Sequence, residues 1–204
     1  MIEKCTTKSW ETSLYEPQKL YYNLMGEKIL TDKNVKSAYY MAKHKKSCDS
    51  PAWDGMTRTI LVDGMEPEHA WSLIRYHVLH GPSGCVKRFD IPKSNGKTRP
   101  ISIYPLLDRV AQWCIMEPLR KACGPLLSPI NHAFLKGKSC KTAFEAFPPA
   151  GEASYVICGD IHSFFDTVSH SLVRACLWSA GIRDSQLLHT INVTLKTPYK
   201  SPKQ

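Results

Sequence analysis

The sequence predicts an α+β protein, and three observations carry that prediction. Apolar residues recur at helical spacing over the first eighty positions, two β-prone runs at 86–103 flank an Asn-Gly pair, and an apolar run at 155–158 leads into two more helical stretches. Composition permits a packed core: 43% of the 204 residues are hydrophobic and 22% charged, a balance that disordered chains do not have. The length suits one domain or two small ones, or a piece of something larger.

The elements divide into three stretches. Residues 1–82 read as helical: Val35, Tyr39 and Ala42 share one helical face and Ala70, Leu73, Ile74, His77 and Val78 another, with a turn at Ser50 to Gly55 between them. In residues 83–147, Val86 to Lys93 and Thr98 to Ile103 form a β-hairpin, because Asn95-Gly96 supplies the positive φ angles of a tight turn. Pro92 and Pro100 near its tip mark edge strands, so the tip projects. Leu107, Val110, Ala111, Cys114 and Ile115 then form a helical stripe beside Asp108, Arg109 and Gln112, expected to stop near Glu117-Pro118 or shortly after. Pro125 to Ser139 reads as loop.

Residues 148–204 open with a linker, Pro148 to Gly151, and a strand, Tyr155-Val156-Ile157-Cys158, that reads as fully buried and ends in Gly159-Asp160. Leu172, Val173, Cys176 and Leu177 mark a helix closed by Gly181, and Leu187, Leu188, Ile191 and Leu195 a last helix capped by Asp184.

Several function classes fall away. No run of 18 apolar residues spans a membrane, and the first residues lack a signal-peptide pattern, so the chain is expected to be intracellular. The eight cysteines contain no C-x-x-C pair, which leaves no zinc knuckle or redox motif; most are expected reduced and half-buried. There is no G-x-S-x-G elbow and no H-E-x-x-H pair. Gly137-Lys138-Ser139 resembles the end of a phosphate-binding loop but has His132 where that loop needs its first glycine. What remains is a polyanion partner: the net charge is +9, and residues 83–141 hold eleven basic and three acidic residues.

Two constellations could carry chemistry. Asp160 to Asp166 follows the buried strand, and a carboxylate at a strand exit suits a Mg²⁺ ion that also binds phosphate oxygens; taken alone, a helix cap or turn Asp is the plainer reading. The hairpin tip carries Lys93, Lys97 and Arg99, which could clamp a triphosphate, Arg by a fork of hydrogen bonds and Lys as a point charge. An exposed turn kept soluble by Lys is the simpler alternative.

The order of these features resembles the reverse transcriptases of the group II intron and retron-like class, from about Trp53 to Pro198. Trp53-Asp54-Gly55-Met56-Thr57 is similar to an early G-x-D-G-M-T segment, and Phe89 to Ile101 to a fingers hairpin that reads I-P-K-x-N-G-K-x-R-P-L. Asp108-Arg109-Val110-Ala111-Gln112 resembles a D-R-[IV]-x-Q helix, Glu117-Pro118-Leu119 an L-E-P, and Asp160 to His170 a D-I-K-G-F-F-D-T-I-D-H block, the first palm motif. The resemblance implies fingers and a partial palm of an RNA-directed DNA polymerase in a prokaryote or phage. It assigns Mg²⁺ binding to Asp160 and the carbonyl of Ile161, the sugar gate to Phe165, and triphosphate contacts to Lys93, Arg99 and, more weakly, Lys97. Arg88, Arg109, Lys136, Lys138 and Lys141 are implied nucleic-acid contacts, and the implied partners are an RNA template, a DNA or RNA primer and dNTP.

Departures are visible. Ala133 and Leu135 stand where the family has the Gly and Arg of S-x-G-F-R-x-G-x-S. The sequence contains no Asp-Asp pair, so the Tyr-x-Asp-Asp hairpin that completes a two-metal site is expected on a missing part or a second chain, and these residues alone are expected to be inactive. The alternative is a non-catalytic, maturase-like RNA-binding module.

Overall fold

A computed structural model describes residues 19–94, 96–147, 155 and 157–201, without the side chains of Phe165 and Asp166. After a π-helical turn at Met25–Ile29, the elements are α1 (Asp32–His44), α2 (Arg58–Val62), α3 (Pro67–His80), β1 (Val86–Pro92), β2 (Thr98–Ile103), α4 (Leu106–Cys123), α5 (Cys140–Glu145), α6 (Phe164–Thr167), α7 (His170–Ser179), α8 (Ser185–Leu195) and β3 (Tyr199–Lys200). The architecture is α+β, as expected. Among the described residues no helix is long and apolar enough to cross a membrane.

α4 is the hub. It buries Leu106, Leu107, Val110, Ala111, Cys114 and Ile115 against α1, α3 and the Met25–Ile29 turn, and α8 packs on α3. Ile29, Val35, Leu61, Ile74, Val78, Val110, Ile182 and Leu187 are fully buried in this core, each worth roughly 1.5–3 kcal/mol for leaving water. The two N-terminal helical faces appear where their spacing put them.

α4 does not stop at Pro118 but runs on to Cys123. Proline has no N–H for the carbonyl one turn back, which here is Cys114 O, and an orphaned buried carbonyl usually ends a helix. Asn34 removes that cost: its Nδ2 donates to Cys114 O at 2.8 Å and to Ile29 O at 2.8 Å. One amide from α1 thus repairs the proline gap and holds the end of the Met25–Ile29 turn.

The hairpin forms, and Gly96 takes the expected positive φ of +76°; Asn95 lies outside the described residues. Lys93 N donates to Lys97 O at 2.7 Å, and the register pairs Lys87 with Ile103, Phe89 with Ile101 and Ile91 with Arg99. β1 also pairs in parallel with β3, so the sheet order is β2-β1-β3, closed by Val86 N donating to Pro198 O at 2.8 Å.

α8 is fastened at its start and at its middle. Asp184 caps it as predicted, Oδ1 accepting from Leu187 N at 3.0 Å, while Oδ2 accepts from Met25 N at 2.7 Å and so ties the N-terminal turn to the same point. Tyr21 N donates to Gly181 O (2.9 Å) and Arg183 N to Tyr21 O (2.8 Å). Farther along, Gln186 Nε2 and Thr190 Oγ1 both donate to Leu79 O (2.7 and 3.3 Å). Gly81, at φ +78°, lets α3 end here, and a Cβ in its place would sit 3.0 Å from Val193 Cγ1.

Two expectations fail. Tyr155, Ile157 and Cys158 lie outside any strand and are exposed, Ile157 by 96%; Val156 and the linker Pro148–Gly151 lie outside the described residues. A strand exists only when a neighbour takes its amides, and among the described residues no backbone hydrogen bond reaches this run. The described cysteines also spread more widely than expected: Cys48 and Cys114 are buried, Cys85 and Cys123 half-buried, and Cys140, Cys158 and Cys176 exposed, while Cys5 lies outside the described residues. Burial pushes the Cys114 thiol up to about 12.

Candidate nucleic-acid interface

The hairpin converts a sequence of alternating residues into two chemically different faces. Residues paired across the ladder share a face, so Phe89, Ile91, Arg99 and Ile101 lie on one side and Arg88, Asp90, Pro100 and Ser102 on the other. Continuing the alternation through the closing pair puts Lys93 and Lys97 on the Arg99 side. The three cations are exposed at the projecting end of one face, with the nearby carboxylate, Asp90, on the opposite face. Such a cluster concentrates positive potential where a polyphosphate would approach.

Behind the tip, the base of β1 is braced by aromatic rings. Lys87 Nζ lies 5.5 Å from the Trp53 ring centre, and the Arg88 guanidinium lies 4.6 Å from the Tyr199 ring. At exposed sites such contacts contribute about 0.5–1 kcal/mol each. Trp53 and Tyr199 were invisible as partners in the sequence, since nothing local links them to positions 87 and 88. Arg88, expected on a nucleic-acid surface, is therefore stacked on a ring that is itself 59% exposed.

Arg109 is placed differently from expectation. Its Nη1 donates to Ser47 O at 2.9 Å and its Nη2 to Ser50 O at 3.1 Å, which ties the turn after α1 to the start of α4. These two bonds use two of the five N–H donors of the guanidinium and fix its orientation, while its buried Nε has no hydrogen-bond partner among the described residues. Its neighbour Asp108 is buried, with Oδ1 2.6 Å from His77 Nδ1, a cross-link between α3 and α4. Burial chiefly, with Asp108 adding to it, raises the Tyr104 phenol above its ordinary value.

The loop from Pro129 to Phe147 carries Lys136, Lys138 and Lys141, all exposed, around an open apolar hollow lined by Ile130, Ala133, Phe144 and Phe147. Phe134 is 92% exposed and takes φ +58°, and Gly137 φ +79°, so the loop is held in a bent form. α5 was not anticipated; its signal was the reciprocal cap between Ser139 and Thr142. Lys141 Nζ lies 3.7 Å from Glu145 Oε1.

Asp160 and Ile161 are exposed and precede a turn at His162-Ser163 that starts α6. The expectation of a carboxylate held at a strand exit is corrected here, because the strand is not formed. Ser163 takes φ +48°, and Thr167 Oγ1 donates to His162 O (3.3 Å) and Ser163 O (3.1 Å), so the turn is organised by its own backbone. The side chain of Phe165 lies outside the described residues. Among the described residues no group of three or more His, Cys, Asp or Glu could hold a metal ion. The Asp160 carboxylate and the Ile161 carbonyl are hard oxygens of the kind Mg²⁺ takes, and they amount to one side of such a site.

Residues 91–202, more than half of the chain, match the family model described as reverse transcriptase (RNA-dependent DNA polymerase). The chain is 28% identical over 159 residues to protein YkfC of Escherichia coli (strain K12), covering 74% of this chain and 41% of that protein. It is 28% identical over 116 residues to the group II intron-encoded protein LtrA of Lactococcus lactis subsp. cremoris, covering 56% of this chain and 19% of LtrA. An uncharacterized 91 kDa protein in the cob intron of Schizosaccharomyces pombe is 30% identical over 114 residues, 55% of this chain and 14% of that protein. The chain thus spans about two fifths of YkfC and less than a fifth of the other two.

Proposed function

Because the chain belongs to the reverse transcriptase (RNA-dependent DNA polymerase) family, we propose that it forms the fingers and the first palm motif of a group II intron-type RNA-directed DNA polymerase. The observation that carries this is the hairpin, inside the matched stretch, with Lys93, Lys97 and Arg99 gathered on one exposed face. In this reading residues 1–82 are a helical extension and the start of the fingers, 83–147 the fingers, and 148–204 the beginning of a palm.

The three cations grip the triphosphate of an incoming dNTP, the Arg99 fork fixing orientation and the two lysines neutralising charge. Asp160 and the Ile161 carbonyl face the metal side, and Phe165 screens the sugar 2′-position. Mg²⁺, when bound, neutralises the charge developing on the phosphates during attack by the primer 3′-hydroxyl. Arg88, Lys136, Lys138 and Lys141 line the template path; Arg109 acts by holding the Ser47–Ser50 turn that carries the chain toward Trp53. Two-metal transfer needs more carboxylates than Asp160, so the remaining palm comes from a further segment or a second chain.

The test is RNA-templated dNTP incorporation by this chain co-expressed with a polypeptide supplying a Tyr-x-Asp-Asp palm and thumb. Incorporation that Asp160→Ala reduces by more than a hundredfold, with RNA affinity within twofold of the parent, supports the reading; synthesis that survives Asp160→Ala overturns the assignment. The second reading, a maturase-like RNA-binding module, is favoured by the exposed position of Asp160, which joins no metal-holding group among the described residues. It requires RNA binding whose salt dependence flattens when Arg88, Lys136, Lys138 and Lys141 are neutralised, without incorporation under any combination.

A further inference from the structure

α4 meets α3 and α8 across a small cavity of about 10 Å³, lined by His77, Gly81, Asp108, Gln112, Thr190 and Thr194 among others. Asp108 Oδ1 is held by His77, but Asp108 Oδ2 is buried with no hydrogen-bond partner, and so is Gln112 Nε2. Asp108 is only 2% exposed. The two residues stand four apart on α4 and therefore share one face of the helix. One bare atom is an acceptor and the other a donor, both deprived of water, and both belong to residues that line the same space.

We propose that this cavity is a binding site for a single water molecule, which accepts from Gln112 Nε2 and donates to Asp108 Oδ2 and Thr194 Oγ1. Size selects the ligand, since the cavity has about the room one water needs. Chemistry selects it too: a metal cation would be repelled by the Gln112 N–H group and an anion by the carboxylate, whereas water both donates and accepts. Thr194 Oγ1 already donates to Thr190 O at 2.9 Å and keeps its lone pairs for the third contact. Buried waters with two to four partners are part of a fold rather than solvent.

The bound water joins α4 to the last turn of α8, one turn beyond Thr190, whose Oγ1 donates to Leu79 O. That turn leads within a few residues to Pro198 and Tyr199, where the chain pairs with β1. Asp108 and Gln112 on α4 thereby hold, through the water, Thr194 on α8, and so bear on where α8 ends and where the hairpin is anchored.

The test reads a sign. Gln112→Met keeps the shape of the side chain and removes the donor. If the site is hydrated, the folding equilibrium constant from urea titration falls about tenfold; if it is dry, the variant sheds an orphaned buried donor and becomes more stable, which overturns the proposal. Thr194→Val lowers the constant too, and in the double variant the two losses combine to less than their product because both release the same water. Should a variant fail to fold, the unaltered chain decides: magnetisation transfer from a long-lived water to the Gln112 side-chain amide protons supports the site, and its absence rejects it.

Discussion

Ile74 and Ile157 have the same side chain and opposite surroundings. Ile74, on α3, is fully buried in the core shared by α1, α3, α4 and α8, whereas Ile157 is 96% exposed. The contrast extends to the stretches around them. In the first, polar side chains reach across the fold: Asn34 to Cys114 O, His77 to Asp108, Asp184 to Met25 N, Gln186 to Leu79 O. Among the described residues from Pro129 to Ser179, the side-chain hydrogen bonds given by the structure are local, the longest joining His132 and Thr142, and Phe134, Phe144, Tyr155, Ile157 and Leu172 are all more than half exposed. Long-range polar contacts and buried apolar surface go together, because only a closed core removes the water that would otherwise compete for each donor. In the polymerase reading, the second stretch is the one that meets the rest of the palm.

The widest separation should come from truncating the two isoleucines. Ile74→Ala is expected to cost about 3 kcal/mol by urea titration, the lost transfer energy plus a cavity, while Ile157→Ala should stay within about 0.5 kcal/mol. Equal losses would dissolve the comparison. Asn34→Ala comes next, at about 2 kcal/mol, since it leaves Ile29 O and the carbonyl orphaned by Pro118 without partners. A cost near zero would mean that water replaces the amide and that the first stretch is less closed than it looks.

The third effect is chemical. At pH 8 a maleimide should label Cys140, Cys158 and Cys176 first and spare Cys48 and Cys114, read by mass spectrometry of the peptides. Burial raises Cys114 from 9.0 to about 12. Above pH 9 the unfolded chain therefore releases a proton that the folded one retains, and stability falls as pH rises from 9 toward 12. Cys114→Ala should remove that part of the slope.

Much of this was legible in the sequence because it is governed by neighbours along the chain. The faces of α1 and α3, the Asn-Gly hairpin and its strands, and the Asp184 cap are set by spacing, turn chemistry and one side chain's reach to the next turn. The hairpin cations were legible as a cluster, though only the register shows that they share a face. The run at 155–158 misled because apolar residues measure the wish to be buried, and burial as a strand depends on a partner elsewhere. The Arg109 clamp was illegible for another reason: the carbonyls of Ser47 and Ser50 that it holds lie about sixty residues away in the chain.

Sequence alone determined the α+β class, the helical periods, the projecting basic hairpin and the family. Tertiary structure alone decided that α4 would pass through Pro118, that Asp108 would be buried against His77 and Arg109 tied to the Ser47–Ser50 turn, and that Asp160 would lie in an exposed turn. Each of those outcomes turns on whether a donor or acceptor finds a partner far away in the chain. Local propensity carries no information about such partners, and in a dehydrated core the energy of one satisfied carbonyl is enough to overrule it.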